Sequence, residues 1–138
     1  MNEEEYRKAY FAEPEPSPRF QFAETFGITL FVKAYADAVR FYGQVLGPPN
    51  YIEGQAAHGW RIGPGWLTLL PSNSSGPENV EVTCYLATPE QAEALQRAFI
   101  EAGAKGSEAT DELMYEAVRS CPVTDPFGIN WLLVSALG

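Results

Sequence analysis

At 138 residues, with 46% hydrophobic and 20% charged side chains, the chain is sized for one domain with a substantial core, neither disordered nor long enough for two ordinary domains. Its formal charge of −9 leaves only nine Lys and Arg, scattered along the sequence, which excludes a nucleic-acid partner because phosphates require clustered cations. No apolar run approaches the roughly 18 residues that span a bilayer, and the acidic Glu3, Glu4 and Glu5 have no apolar segment behind them, so neither a membrane partner nor a signal peptide is expected. The expectation is a cytoplasmic protein whose acidity serves mainly solubility. Cys84 and Cys121 are too few for a disulfide framework; they read as reduced, packed thiols, bridged only if their strands are neighbours.

Residues 1–19 read as a polar leader, with Pro14, Pro16 and Pro18 alternating with Glu and Ser and favouring extended backbone. Asn2 to Tyr10 has the makings of a short helix against the body or a partner subunit. From Phe20 the pattern changes: Phe20 and Phe22 alternate with Arg19, Gln21 and Ala23, as in a strand entering the domain at 20–138. Residues 28–32, Ile-Thr-Leu-Phe-Val, read as a buried strand. The next stretch, 35–46, places Ala38, Tyr42 and Val45 at helical spacing, with Asp37 at the positive end of the dipole; Gly47 and Pro48-Pro49 stop it. Short strands follow at 51–54, 57–62 and 66–70, and 71–79 reads as a polar linker.

The plan then repeats. Residues 82–86 form the second buried strand, and Thr88-Pro89-Glu90-Gln91 is a strong helix start, with Thr88 as cap, Pro89 at the first helical position and Gln91 completing a capping box. Ala92, Leu95, Phe99 and Ala102 make one apolar stripe, ended by Gly103. Residues 114–123 and 129–136 are the last long strands, joined through Asp125-Pro126-Phe127-Gly128, a turn in which Pro presets φ and Gly tolerates a positive one. The modules, about 25–72 and 79–137, are two copies of one strand–helix–strands unit that must bury their faces against each other. That predicts an α+β fold of two paired βαβββ modules, forming a cupped mixed sheet with helices outside.

Phe41-Tyr42-x-x-Val45-Leu46-Gly47 at the first helix end, Ala102-Gly103-Ala104 after the second, and Asp125-Pro126-Phe127-Gly128 with Trp131 resemble the vicinal oxygen chelate superfamily. That group covers glyoxalase, bleomycin-resistance and dioxygenase-like proteins, and the last motif is most similar to its PhnB-like branch. The resemblance covers roughly residues 25–137. It implies a cup whose metal-using members carry His or Glu on the first and last strand of each half, where imidazole and carboxylate hold a divalent ion with open positions. Carried over, those positions are Gly27, Leu69 (or Thr68, allowing a one-residue gap), Glu81 and Leu132. The repeat itself maps Gly27 onto Glu81, Thr29 onto Thr83 and Phe31 onto Tyr85. Only Glu81 is a strong ligand, so no metal and no cofactor are expected, and the metal-dependent chemistries of the superfamily are not.

Glu81, Thr83 and Tyr85 alternate with Val82, Cys84 and Leu86 and so share one sheet face. If that face lines the cup, Glu81 binds a cationic or hydrogen-bond-donating group, or acts as a base with its pKa raised by burial; the plainer reading is a carboxylate at a strand's edge. His58, the only histidine, is a second acid–base candidate, although a lone strand histidine is more often structural. Trp60 and Trp66 are candidate aromatic walls or simply core packing. Arg119 is either a receptor for an anion or a solvated strand arginine. Thr29, Phe31, Thr68 and Asn130 complete the ligand-binding set, while Trp131 reads as packing under a helix.

The function expected is metal-independent binding of a small organic ligand in the cup, by a glyoxalase/bleomycin-resistance-like homodimer that pairs its sheet edges. Two alternatives stand beside it: a lyase or isomerase using Glu81 or His58, and a non-catalytic regulatory or structural module.

Overall fold

The computed structural model describes residues 2–73, 80–126 and 128–138. Of the expected linker, residues 74–79 lie outside the described residues, as does Phe127 of the expected turn. The leader carries α1 (Glu3–Tyr10), capped by Asn2, whose side chain accepts from the Glu5 N–H at 2.8 Å, with three glutamates in its first turn and Arg7 and Lys8 in its last. None of its residues is buried.

The segment that begins at Phe20 leads into β1 (Phe22–Val32), a longer strand than its apolar centre alone indicated, whose register on the later strand 80–86 shifts between Phe22 and Phe26. Next come α2 (Tyr35–Leu46), β2 (Tyr51–Glu53), β3 (Ala57–Ile62) and β4 (Gly65–Pro71). Helix α2 stops where expected: Gly47 adopts φ 97°, a value that an L side chain rarely tolerates. The second module contains β5 (Val80–Leu86), α3 (Pro89–Glu101), β6 (Lys105–Gly106), β7 (Thr110–Met114), β8 (Glu116–Thr124) and β9 (Asn130–Ala136). Thr88 caps α3 by accepting from the Gln91 N–H at 3.2 Å. The reciprocal half of the capping box is absent, because the Gln91 side chain instead accepts from the Gln21 N–H at 3.0 Å and fastens the leader's end to α3.

These strands form one mixed sheet in the order β2-β3-β4-β1-β5-β9-β8-β6, with β7 also on β8. Within each module the first and last strands run parallel, β1 with β4 and β5 with β9, and the modules join antiparallel through β1 and β5. The first module is a βαβββ unit and the second repeats it with its second strand in two pieces, β6 and β7, both on β8, so the chain folds into the two paired modules expected. The single strand expected at 114–123 is instead the end of a hairpin: the chain bends at Tyr115, and β7 pairs back on β8 from Met114–Glu116 outward.

Helix α3 buries Ala92 against a core of Leu86, Cys121, Val123 and Leu133, flanked by Phe99 and Trp131. Each fully buried aliphatic chain here contributes about 1.5–3 kcal/mol. Gln96 is buried in the same layer and is satisfied, donating to the Ser107 carbonyl at 2.8 Å and the Pro122 carbonyl at 3.0 Å. Cys84 and Cys121 both pair with Leu133, one from each side, so β9 separates them by two strand spacings and both thiols are free.

Candidate functional site

Strand register sorts the side chains into two faces, since residues paired across neighbouring strands point the same way. On the face away from the helices, Thr68, Thr29, Glu81 and Asn130 form one continuous row across β4, β1, β5 and β9. Trp66, Gly27, Thr83 and Leu132 form the adjacent row. The one-residue ambiguity on β4 thereby resolves to Thr68, which faces this side, while Leu69 is fully buried on the other.

Above the first row lies a cavity of about 270 Å³ that Thr29, Thr68, Glu81 and Leu132 floor, with Tyr51, Glu53, Glu112 and Tyr115 around it. No basic side chain lines it among the described residues. Two of its three carboxylates are engaged: Glu53 accepts from the Tyr51 hydroxyl at 2.5 Å and Glu112 from the Thr110 hydroxyl at 2.9 Å. Glu81 is different. It is partly buried, forms no hydrogen bond or ion pair among the described residues, and burial raises its pKa above the ordinary carboxylate value. A carboxyl held this way is short of a partner: it accepts from a donor or a cation, and it takes up a proton more readily than an exposed acid.

Tyr115, like Tyr51, Glu53 and Glu112, lines the cavity without having been expected there from the sequence. It is the one described non-glycine residue with positive φ, 66°, a conformation strained for an aromatic residue by about 1–3 kcal/mol. The strain turns its ring off the strand line and over the cavity side. There its hydroxyl lies 2.6 Å from Thr68 Oγ1, and its ring stacks on Trp66 with centroids 3.9 Å apart and planes at 10°. Tyr51 meets it edge-on at 4.8 Å. Leu113-Met114-Tyr115-Glu116 contains no Gly or Asn to announce such a bend. Tyr51 and Glu53, by contrast, were legible as alternate residues of one short strand.

A second space of about 500 Å³ adjoins the first across Tyr51 and Tyr115, and Trp66, Tyr85, Arg61 and Glu116 line it. The Arg61 guanidinium lies 4.4 Å from the Trp66 ring centroid. Burial, with smaller contributions from Tyr115 and Glu116, pushes the Tyr85 hydroxyl up to about 12 against the pull of Arg61, so it remains a hydrogen-bond donor at neutral pH. Thr83, in the second row, is buried. Asn130, at the far end of the first row, accepts from the Thr124 hydroxyl at 2.7 Å. Phe31 shares the face of Thr29 by alternation but lines neither space.

Three expected site residues point the other way. His58 and Trp60 alternate with Ala57 and Gly59 and lie beneath α2. His58 Nδ1 is 2.5 Å from the Tyr35 hydroxyl, and the Trp60 indole N–H donates to the Gly47 carbonyl at 2.9 Å. Arg119 lies on the α3 side, held by Glu93 at 2.7 Å and Asp111 at 2.5 Å. The bend at Tyr115 explains that misplacement: alternation along an unbroken strand put Tyr115 and Arg119 on one face. Trp131 packs against Phe99 with centroids 5.5 Å apart, as its position suggested.

The metal positions of such folds test poorly on this chain. Gly27, Thr68, Glu81 and Leu132 supply one carboxylate and one hydroxyl, and among the described residues no group of three His, Cys, Asp or Glu is placed to hold an ion. At Gly27 even a Cβ would meet the Trp66 carbonyl oxygen at 3.0 Å, so a histidine does not fit there without moving β4. This donor set does not suit a tightly held divalent metal.

No protein-family model matches the chain, and no curated protein sequence does. Solved structures do. A glyoxalase/bleomycin resistance protein/dioxygenase superfamily member from Vibrio splendidus 12B01 superposes with a TM-score of 0.63 at 12% identity, over 80% of this chain and 97% of that one. The Mn(II)-bound glyoxalase from Novosphingobium aromaticivorans gives 0.64 at 15% identity, over 87% of this chain and 40% of that one. Homoprotocatechuate 2,3-dioxygenase from B. fuscum (its H200E variant) gives 0.65 at 20% identity, over 88% of this chain and 34% of that one. The chain thus spans nearly all of the first and well under half of the other two. What it shares with them is the fold, that of the vicinal oxygen chelate proteins.

Proposed function

We propose that this protein binds a small organic molecule through a cationic or hydrogen-bond-donating group, without a metal, holding its ligand rather than converting it. The observation that carries this reading is Glu81, a carboxyl without a partner among the described residues in a cavity without basic side chains. Aromatic walls from Tyr51 and Tyr115 supply apolar area beside the charge, the usual make-up of a small-ligand pocket. Metal independence is supported by the donor set around Glu81, which lacks the second and third ligands that a divalent ion needs.

Calorimetric titration of small organic amines against the wild type and Glu81→Gln tests the reading. The substitution keeps shape and removes charge, so affinity falls by about 10–100-fold, the worth of a charge-assisted hydrogen bond. Unchanged affinity would assign Glu81 to the wall alone. Treatment with a chelator leaves binding intact; a stoichiometric transition metal lost on chelation together with binding overturns the metal-free part.

A second reading rests on the same carboxyl. Its raised pKa suits a general base in a lyase or isomerase. Under that reading Glu81→Gln abolishes exchange of a ligand C–H proton with solvent deuterium while ligand still binds. Absence of exchange in the wild type excludes it.

A further inference from the structure

The geometry points to Tyr115 as an internal stand-in for the ligand: its ring occupies a stacking slot on Trp66 that a planar conjugated group of the bound molecule takes when Tyr115 swings out. This deepens the small-molecule reading above and rests on it for the charged end of the ligand.

Four observations converge on that slot. The Trp66–Tyr115 pair is nearly parallel at 3.9 Å between centroids, closer than the roughly 4.5–7 Å at which aromatic side chains normally pair. Tyr115 reaches it only through a backbone φ of 66°, a region that aromatic residues avoid. Room for its hydroxyl comes from Gly59, where a Cβ would lie 2.4 Å from the Tyr115 oxygen, so β3 is cut back to a bare backbone opposite the ring. Tyr115 is also part of the wall between the Glu81 cavity and the larger space beside Arg61, lining both. The ring therefore fills a flat-sided slot at the junction of two cavities, tethered there by one hydrogen bond to Thr68 at 2.6 Å.

Displacing it joins the two spaces and exposes the face of Trp66. Trp66 and Glu81 lie two strands and two residues apart in register, about 12 Å between Cα atoms at ordinary sheet spacings, and both side chains project into the space between. The ligand class is then a fused or conjugated ring carrying an amine on a short chain, its ring on Trp66 and its ammonium at Glu81. Tyr115 acts on specificity: a ligand without a flat ring gains nothing from opening the slot, and one with a ring must first displace the tyrosine.

Three probes test this by calorimetry on the full chain: naphthylethylamine, its neutral counterpart naphthylethanol, and butylamine, which reaches only Glu81. Tyr115→Gly suits the positive φ and removes the occupant. It is expected to strengthen both naphthyl probes about tenfold, by removing the cost of a largely closed slot, while butylamine, which loses the Tyr115 wall beside Glu81, gains nothing. Adding Trp66→Ala cancels the gain. Thr68→Val loosens the tether without touching the bend; it is expected to give a smaller gain of about two- to threefold, and it carries the test if the glycine variant fails to fold. Naphthyl affinity that stays level or falls in these variants overturns the inference and makes Tyr115 a fixed wall. If naphthylethanol gains while neither amine binds through Glu81, the slot stands and the Glu81 reading falls. If none of the three binds any variant, both are overturned.

Discussion

The two faces of the sheet differ in where they leave a charged group without a partner. Beneath the helices, the His58 ring nitrogen hydrogen-bonds with the Tyr35 hydroxyl, Trp60 donates to Gly47, and Arg119 is clasped by two carboxylates. The exception among the described residues is the Ser135 hydroxyl, buried without a partner, but it carries no charge. On the cavity face Glu53, Glu112 and Asn130 are bonded as well, but the charged Glu81 has no partner among the described residues, and Tyr115 sits in a strained conformation with a single hydrogen bond. A fold spends no stability on an unpaired partly buried carboxyl without a reason, because its desolvation is uncompensated. The difference between bonded and unbonded polar groups therefore separates scaffold from site more sharply than residue type does. By type alone, the histidine, the tryptophan and the arginine of the helix face look as functional as anything in the cup.

The comparison breaks first at Trp60. It is 2% exposed, wedged between Tyr42 and His58. Trp60→Ala should cost about 3–5 kcal/mol, lost packing and cavity together, read as a shift in the urea midpoint. At a temperature where the variant remains folded, its ligand affinity should match that of the wild type. A specific loss of binding would return Trp60 to the site.

A smaller effect is expected at His58. Replacing it by Phe keeps most of the volume and leaves the Tyr35 hydroxyl with only a marginal contact to the Leu69 carbonyl at 3.5 Å. The expected cost is about 1–2 kcal/mol in chemical denaturation, with ligand binding and any turnover unchanged. Activity that disappears in a folded His58→Phe protein would place the catalytic base on the helix face and reverse the assignment of the two faces.

The architecture was legible because it is written in periodicity. The boundaries of α2, the Thr88 cap, the stop at Gly47 and the duplicated order of strands all follow from residue types with strong local preferences. The same alternation put Glu81, Thr83 and Tyr85 on one face, and the repeat matched Thr29 to Thr83. It failed where one residue broke the period. Tyr115 bends the chain without a Gly, Asn or Pro to mark the place, so a hairpin read as one strand, and Tyr115 and Arg119 were put on one face. Which face is the cup is a tertiary property, fixed by where α2 and α3 pack. His58 and Trp60 could not be placed without it.

The finest discrimination comes from pH. Burial raises the folded-state pKa of Glu81 above the ordinary carboxylate value, so the folded protein binds this proton more tightly than the unfolded chain. The contribution of the protonated group is fully present below that ordinary value and is lost as pH rises through the raised folded value; above it the carboxylate is a constant burden. Glu81→Gln removes the titration. The wild type and the variant should therefore melt together in acid, and the variant should gain progressively with pH until it levels off above the raised folded value. The carboxyl is only partly buried, which holds the gain to about 1 kcal/mol, or about 3–6 °C in Tm for a chain of this size. A parallel offset at every pH would mean that the substitution acts through packing. A variant that loses stability toward neutral pH would mean that the carboxylate has a partner stabilising its charge, and the contrast between the two faces would lose its main support.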